Sequence, residues 1–157
     1  MGGRPVAVRL LLGVPAGTAG TTVLTAAYAL ERRLRRPNGP LDYDDSDVPG
    51  QIVATILHLP SVSGREEHEL GLALRWSYGS VFGVAHGLLR QRLPEPQATA
   101  AFGGLLMTAT LSLFPVLGRT PPPWRWPRSF LVTSLLTHAA YAVTVGVVHD
   151  RLDNVTK

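Results

Sequence analysis

Two segments of the chain carry a tyrosine and a histidine at the same spacing within otherwise apolar sequence. They are "YGSVFGVAHG", with Tyr78 and His86, and "YAVTVGVVHD", with Tyr141 and His149. Both follow the pattern Tyr-x4-Gly-Val-x-His. An imidazole can donate or accept a hydrogen bond, and it takes up a proton near neutral pH. The repeated pair therefore suggests either a proton-linked site or a polar contact between two helices.

The spacing of these residues places them on one face of each helix. Eleven residues complete about three turns of an α-helix, so positions 75, 78, 82 and 86 share one stripe and positions 138, 141, 145 and 149 share another. Ionisable residues inside a membrane are costly and usually face the interior of the helix bundle. The candidate functional residues within the membrane are therefore Arg75, Tyr78, His86, His138 and Tyr141.

Each of these ionisable residues also has a structural interpretation. A neutral imidazole of His86 or His138 can hydrogen-bond to a neighbouring helix. Arg75, about one turn inside its helix, can extend to the lipid headgroups. His149 stands beside Asp150 at a helix end, where interfacial solvation is expected. The most specific hypothesis is a haem held by His86 and His138, although their depths differ by about 10 Å. No other cofactor and no metal is predicted.

The distribution of charge predicts an integral membrane protein. Only 17% of the 157 residues are charged, and four apolar segments reach the length of about 20 residues that crosses a hydrocarbon core. The predicted fold is all-α: a single transmembrane domain, residues 1–157, forming a four-helix bundle with short connections. The spans are placed at about 10–30, 70–89, 97–117 and 129–149, with one long polar loop, 31–69, between the first two.

The polar loop contains the one pattern that resembles a metal site. Asp42, Asp44 and Ser46 imitate the first alternating ligands of an EF-hand. The glycine and glutamate positions of that motif are occupied by Asp47 and Val53, however. A solvated acidic loop is therefore the better interpretation. Within the same loop, "QIVATILHL" is too short to span a bilayer and is predicted to form a short amphipathic helix.

Composition and motifs argue against several functional classes. The net charge of +4 comes largely from arginines that flank apolar segments, as expected for contact with lipid headgroups rather than nucleic acid. The chain has no cysteine, which excludes disulfides and thiolate chemistry. It also lacks G-x-S-x-G, H-E-x-x-H and P-loop motifs. No enzymatic activity and no catalytic residue are predicted.

Small residues recur at intervals of four along the apolar segments. Such stripes let two helices approach closely, either within one chain or between two copies of it. The predicted partners are therefore the lipid bilayer and, through these faces, a second copy or another membrane protein. The glycines assigned to helix packing are Gly13, Gly17, Gly79, Gly83, Gly87 and Gly104.

The segment "LGRTPPPWRWPRSFLVTSLLTHAAYAVTVGVVHDRL" resembles the YagU-like family of bacterial inner-membrane proteins. The resemblance rests on the turn with Pro121 and Pro122 and on the central His138. In addition, "GVPAGTAGTTVLTAAYALERRLRRP" is similar to the first helix of small actinobacterial membrane proteins. The resemblance implies a multi-span inner-membrane protein without an established catalytic activity, and some members are linked to acid tolerance. It gives no role to the three matched residues.

Together these observations predict a non-enzymatic protein of the bacterial plasma membrane that acts in envelope maintenance or in acid and stress tolerance. Two alternatives remain open at this stage. One is a haem-binding or proton-linked redox subunit that uses the intramembrane histidines. The other is a small transporter. Positive charges divide almost evenly between the two sides, so the orientation of the termini also remains open.

Overall fold

The structure is a computed structural model that describes residues 6–34, 48–58, 65–117 and 120–155. Every regular element in these ranges is helical, so the predicted all-α class is confirmed. The α-helices are α1 (Val6–Leu34), α2 (Val48–Ile56), α3 (Arg65–Leu89), α4 (Gln97–Leu117) and α5 (Arg128–Val155), and a 3-10 turn covers Pro123–Arg125.

Three of the long helices extend beyond the spans expected from the sequence. α1 begins at Val6, α3 begins at Arg65 and α5 continues to Val155. The spans were placed on apolar windows with few charges, but a helix can continue through polar residues once they reach the headgroups. The predicted loop 31–69 accordingly shortens and contains α2 where "QIVATILHL" had suggested a helix. The aspartates of this loop lie outside the described residues.

Within the described ranges, three helices are long and apolar enough to cross a membrane: α1 over Val6–Glu31, α4 and α5. α3 does not meet this criterion because its first turns are charged and it contains Arg75 and several small or polar residues. Large apolar side chains also cover the outside of the molecule. Leu11, Val81, Leu105 and Val132 are each more than half exposed, which is unfavourable in water and favourable in lipid.

α1 and α3 pack backbone against backbone through their glycines. A Cβ atom on Gly13 would overlap the carbonyl oxygen of Gly83, and a Cβ atom on Gly83 would overlap that of Gly13. One turn along, a Cβ atom on Gly17 would lie 2.5 Å from the carbonyl oxygen of Gly79. The two helices are therefore antiparallel, and this glycine face is used within the chain. A second copy cannot use it unless the helices separate.

The other glycines differ in whether a neighbouring helix lies against them. A Cβ atom on Gly20 would meet side chains of α5, and one on Gly146 would meet a side chain of α4. Gly87 is also buried. In contrast, within the described part of the chain, nothing beyond the local backbone of α4 lies within 4 Å of the Cβ position of Gly104, which is exposed. Of the predicted packing glycines, Gly104 therefore does not pack within the chain.

α1 packs between α3 and α5, and α5 packs between α1 and α4. Residues Tyr141, Ala142 and Val145 of α5 form a buried core with Ala16 of α1 and Phe102 of α4. α5 runs parallel to α3 and antiparallel to α1 and α4. α3 and α5 are therefore the two parallel helices on which the repeated Tyr and His residues share an inward face.

A second apolar cluster closes one end of the molecule. Val48 and Ile52 of α2 pack with Phe114, Trp126 and Phe130, which joins α2 to the turn between α4 and α5. In this turn the indole N–H of Trp126 donates a hydrogen bond to the carbonyl oxygen of Pro121, 2.6 Å away. Pro122 is extended and precedes the 3-10 turn. Pro121 and Pro122, on which the family resemblance partly rests, therefore shape the connection between α4 and α5.

Candidate functional site

The histidines of the two repeated segments are in contact. His86 on α3 and His149 on α5 are 0% and 1% exposed, and their Nδ1 atoms lie 3.3 Å apart. A hydrogen bond between two Nδ1 atoms requires a proton on one of them and a lone pair on the other. Because α3 and α5 are parallel, the same spacing after each tyrosine brings the two imidazoles to the same level.

The burial of His149 differs from the expectation of a solvated interfacial side chain. α5 does not end near this residue but continues to Val155. The imidazole packs against His86 of α3, and Asp153, one turn further along α5, is itself only 8% exposed. The apolar window ended at Asp150 because charge begins there, whereas packing continues further along the helix.

Glu95 approaches His86 from the connection between α3 and α4. Its Oε1 atom lies 3.0 Å from Nε2 of His86, and the Oγ1 atom of Thr99 lies 3.3 Å from the same nitrogen. The carboxylate is held in place because its Oε2 atom accepts a hydrogen bond from the backbone N–H of Thr99. The buried Oε1 atom receives no well-directed hydrogen bond from the described part of the chain.

Arg90 gathers three carboxylates beside the histidine pair. Its Nη2 atom lies 3.0 Å from Oδ1 of Asp150 and 3.9 Å from Oδ2 of Asp153, and its Nη1 atom lies 3.9 Å from Oε1 of Glu95. The side chain of Arg90 is 17% exposed. It therefore links the end of α3 to α5 and to the connection that carries Glu95. Three carboxylates around one guanidinium leave this region with an excess of acidic groups.

The proton cluster, defined as His86, His149 and Glu95, can accept one proton without losing its central contact. In the neutral pair, one of the two ring protons occupies the contact between the Nδ1 atoms. A further proton can be placed on an Nε2 atom, which leaves the contact between the Nδ1 atoms in place. A second added proton would put hydrogen on both Nδ1 atoms, and these would then repel each other.

His138 lies elsewhere and is fully hydrogen-bonded. Its Nδ1 atom is 2.7 Å from the carbonyl oxygen of Ser134, so Nδ1 carries the proton. Its Nε2 atom then accepts a hydrogen bond from the Thr110 hydroxyl at 2.9 Å. His138 precedes His149 by three turns of α5, about 16 Å. Since two axial ligands must bind one iron atom, the structure does not place His86 and His138 as a haem pair.

The other sequence candidates mainly join helices. The hydroxyl of Tyr141 donates a hydrogen bond to the carbonyl oxygen of Gly79, 2.6 Å away on α3. Tyr78 packs edge-on against Phe82, with ring centroids 5.8 Å apart. Arg75 is only 5% exposed, so it is buried rather than extended to the headgroups. Of the predicted candidates, only His86 belongs to the proton cluster.

We expect replacement of Thr110 by valine to lower the free energy of unfolding by about 1–3 kcal/mol. Valine keeps the shape of threonine but removes the hydroxyl that donates to the buried Nε2 of His138. The measurement is denaturant unfolding in detergent micelles. Thr108→Val is the matched control because Thr108 is exposed and bonds only to its own helix, at Gly104. Equal effects of the two substitutions would show that the bond to His138 contributes nothing.

The proton cluster was only partly accessible to sequence reasoning. Periodicity indicated His86 and His149, and Arg90 follows His86 by one helical turn, but Glu95 lies beyond the end of α3, where no helical spacing relates it to the histidines. Among the described residues, no group of three or more His, Cys, Asp or Glu is arranged to hold a metal ion. Comparison with protein families, characterised proteins and solved structures gives no match.

Proposed function

We propose that this chain is a non-enzymatic, four-span protein of the bacterial plasma membrane that responds to acid through its proton cluster. The observation that carries the proposal is the 3.3 Å contact between the Nδ1 atoms of His86 and His149, with Glu95 against the other nitrogen of His86. The role in acid tolerance implied by the resemblance to YagU-like proteins agrees with such a response. No comparable contact among the described residues supports the two alternatives, a haem-binding subunit and a small transporter.

The way in which α3 is covered by its neighbours supports the proposal of four spans. α1, α4 and α5 are apolar enough to cross a membrane by themselves. α3 is less apolar, but two of its ionisable side chains, Arg75 and His86, are buried inside the protein, and its glycines lie against α1. The lipid therefore contacts mainly its apolar residues, such as Val81 and Leu88. A helix whose polar groups are covered by the protein in this way can cross the bilayer beside more apolar helices.

The response to acid follows from the contacts that join α3 to α5 at this end. Near neutral pH the helices are linked by the histidine pair and by the ion pair between Arg90 and Asp150. In acid, two imidazolium groups cannot share the Nδ1 contact, because both Nδ1 atoms then carry hydrogen. This link between the helices is then lost. We therefore propose that the ends of α3 and α5 separate as the pH falls.

The test is a distance between the two helix ends measured over a range of pH values. Because the chain has no cysteine, Leu88→Cys with Arg151→Cys introduces one spin label on α3 and one on α5, both at exposed positions. We expect the distance between the labels to increase as the pH is lowered in steps from about 8 to about 3, across the range in which imidazole and carboxyl groups of proteins titrate.

Two histidine variants decide whether the change belongs to the proton cluster. His58→Ala alters an exposed histidine outside the cluster and should leave the change in distance intact. The double variant His86→Leu/His149→Leu should remove most of it, since the Nδ1 contact is then absent. An unchanged distance in the parent protein, or an equal change in the double variant, would contradict the proposal.

A further inference from the structure

An apolar cavity of about 140 Å³ lies between the long helices. Its walls include Leu24 of α1, Phe82 of α3, Leu106 and Leu113 of α4, and Tyr141 of α5. Leu106 and Tyr141 stand near the middle of their helices. In a membrane-inserted protein the cavity would therefore lie near the centre of the bilayer, at the depth of the lipid chain ends.

The cavity opens sideways between α3 and α4. Phe82 and Leu113 line it and are also 38% and 44% exposed, so they stand at its mouth, one on each helix. α3 and α4 meet near their connected ends, where the ring of His86 packs against Phe102 with centroids 5.4 Å apart. Farther along they are separated by this space, which is bordered at its other end by Ile52 and Val53 of α2.

The polar groups in the wall are directed to the protein rather than to the cavity. The Thr110 hydroxyl bonds to His138, and the Tyr141 hydroxyl bonds to the carbonyl oxygen of Gly79. These side chains are already satisfied. The remaining wall is mainly aliphatic and aromatic. An occupant would therefore gain dispersion contacts and no strong hydrogen bond from these groups, which favours a hydrocarbon.

We propose that the cavity binds the end of a membrane lipid's hydrocarbon chain, which enters between α3 and α4. The volume is close to that of an engineered apolar cavity of about 150 Å³ that binds benzene, and thus accommodates about six carbon atoms. A bilayer supplies such chains at this depth and at high concentration. The inference rests on the membrane insertion proposed above but not on the proton response, because the cavity and the proton cluster are formed by different side chains.

The experiment uses the full chain in vesicles of phosphatidylcholine, a fraction of which carries a photoreactive diazirine near the end of one acyl chain. After illumination, mass spectrometry locates the covalent adducts. We expect adducts on the inner wall of the cavity, at Thr21 and Leu24, and also on the outer residues Leu105 and Val132. Thr21 is only 1% exposed, so an adduct there requires a chain inside the protein.

A filling variant and its matched control test the assignment of the adducts to the cavity. Ala109 lines the cavity, so Ala109→Phe should remove the adducts at Thr21 and Leu24 and retain those at Leu105. Ala100→Phe, at an exposed position on the same helix, should retain all of them. If Ala109→Phe does not fold, the adduct map of the parent protein is still decisive.

Three other labelling results would each contradict the lipid site, and one of them would also contradict membrane insertion. Adducts confined to outer residues such as Leu105 would overturn the lipid site but support membrane insertion. Adducts at Thr21 and Leu24 that persist in folded Ala109→Phe would also overturn it, because the chain would then have reached these residues by another route. A complete absence of adducts on the outer residues would overturn insertion and the lipid site together.

Discussion

Replacing Gly83 with alanine is expected to produce the largest loss of stability of any single methyl addition on α3. The added Cβ atom would overlap the carbonyl oxygen of Gly13 and lie 2.6 Å from the backbone nitrogen of Gly17. Backbone atoms cannot rotate away as a side chain can, so α1 and α3 must move apart along their glycine face. We expect the free energy of unfolding to fall by about 3 kcal/mol or more, at or above the usual upper range for overpacking.

The matched control for Gly83→Ala is Gly104→Ala. Both substitutions add one methyl group to the interior of a long helix, but among the described residues nothing beyond the local helix backbone lies within 4 Å of the new atom at Gly104. Because alanine favours the helix more than glycine does, Gly104→Ala should leave stability unchanged or raise it slightly. Denaturant titration in detergent micelles measures both. Similar stability of the two variants would show that the close approach of α1 and α3 is not essential to the fold.

The second large effect is expected from single replacements in the histidine pair. His86→Leu and His149→Leu should each lower the free energy of unfolding by about 1–3 kcal/mol, because each leaves the other Nδ1 atom buried without its partner. The double variant His86→Leu/His149→Leu removes both polar groups and puts two apolar side chains in contact. It should therefore be at least as stable as the less stable of the single variants.

This prediction is tested as a double-mutant cycle. The coupling energy is the difference between the effect of the double variant and the sum of the two single effects. We expect a clear coupling between His86 and His149, whereas His86 and His138 should show additive effects because they lie about three helical turns apart along the molecule. Additive effects for His86 and His149 would mean that their contact contributes nothing to stability.

Much of the architecture could be predicted from the chain because membrane helices depend on local composition. Apolar windows located α1, α4 and α5, and the interval of four between Gly79 and Gly83 indicated a surface for close helix packing. The sequence could not decide which helix would occupy that surface. α1 does so because Gly13 and Gly17 repeat the same interval, and an intramolecular partner is always available at high effective concentration.

Helical periodicity in the sequence predicts only part of the proton cluster. A spacing of whole helical turns relates His86 to Tyr78 and His149 to Tyr141, and the parallel course of α3 and α5 then brings the histidines together. Glu95 lies in a connection, and its position depends on the path of the chain between α3 and α4. The cavity could not be predicted from the sequence pattern either, because it is a gap between helices and depends on how they pack.

The position of α5 between α1 and α4 has a consequence for biosynthesis. α5 follows α1 to α4 in the chain and leaves the ribosome after them, yet Tyr141, Ala142 and Val145 supply much of the buried core. α1 and α3 can associate earlier through their glycines, but the other face of α1 stays uncovered until α5 has emerged. Assembly is therefore completed only after α5 has left the ribosome, and a chain truncated before Arg128 would keep the contact of α1 with α3 while lacking both the core and His149.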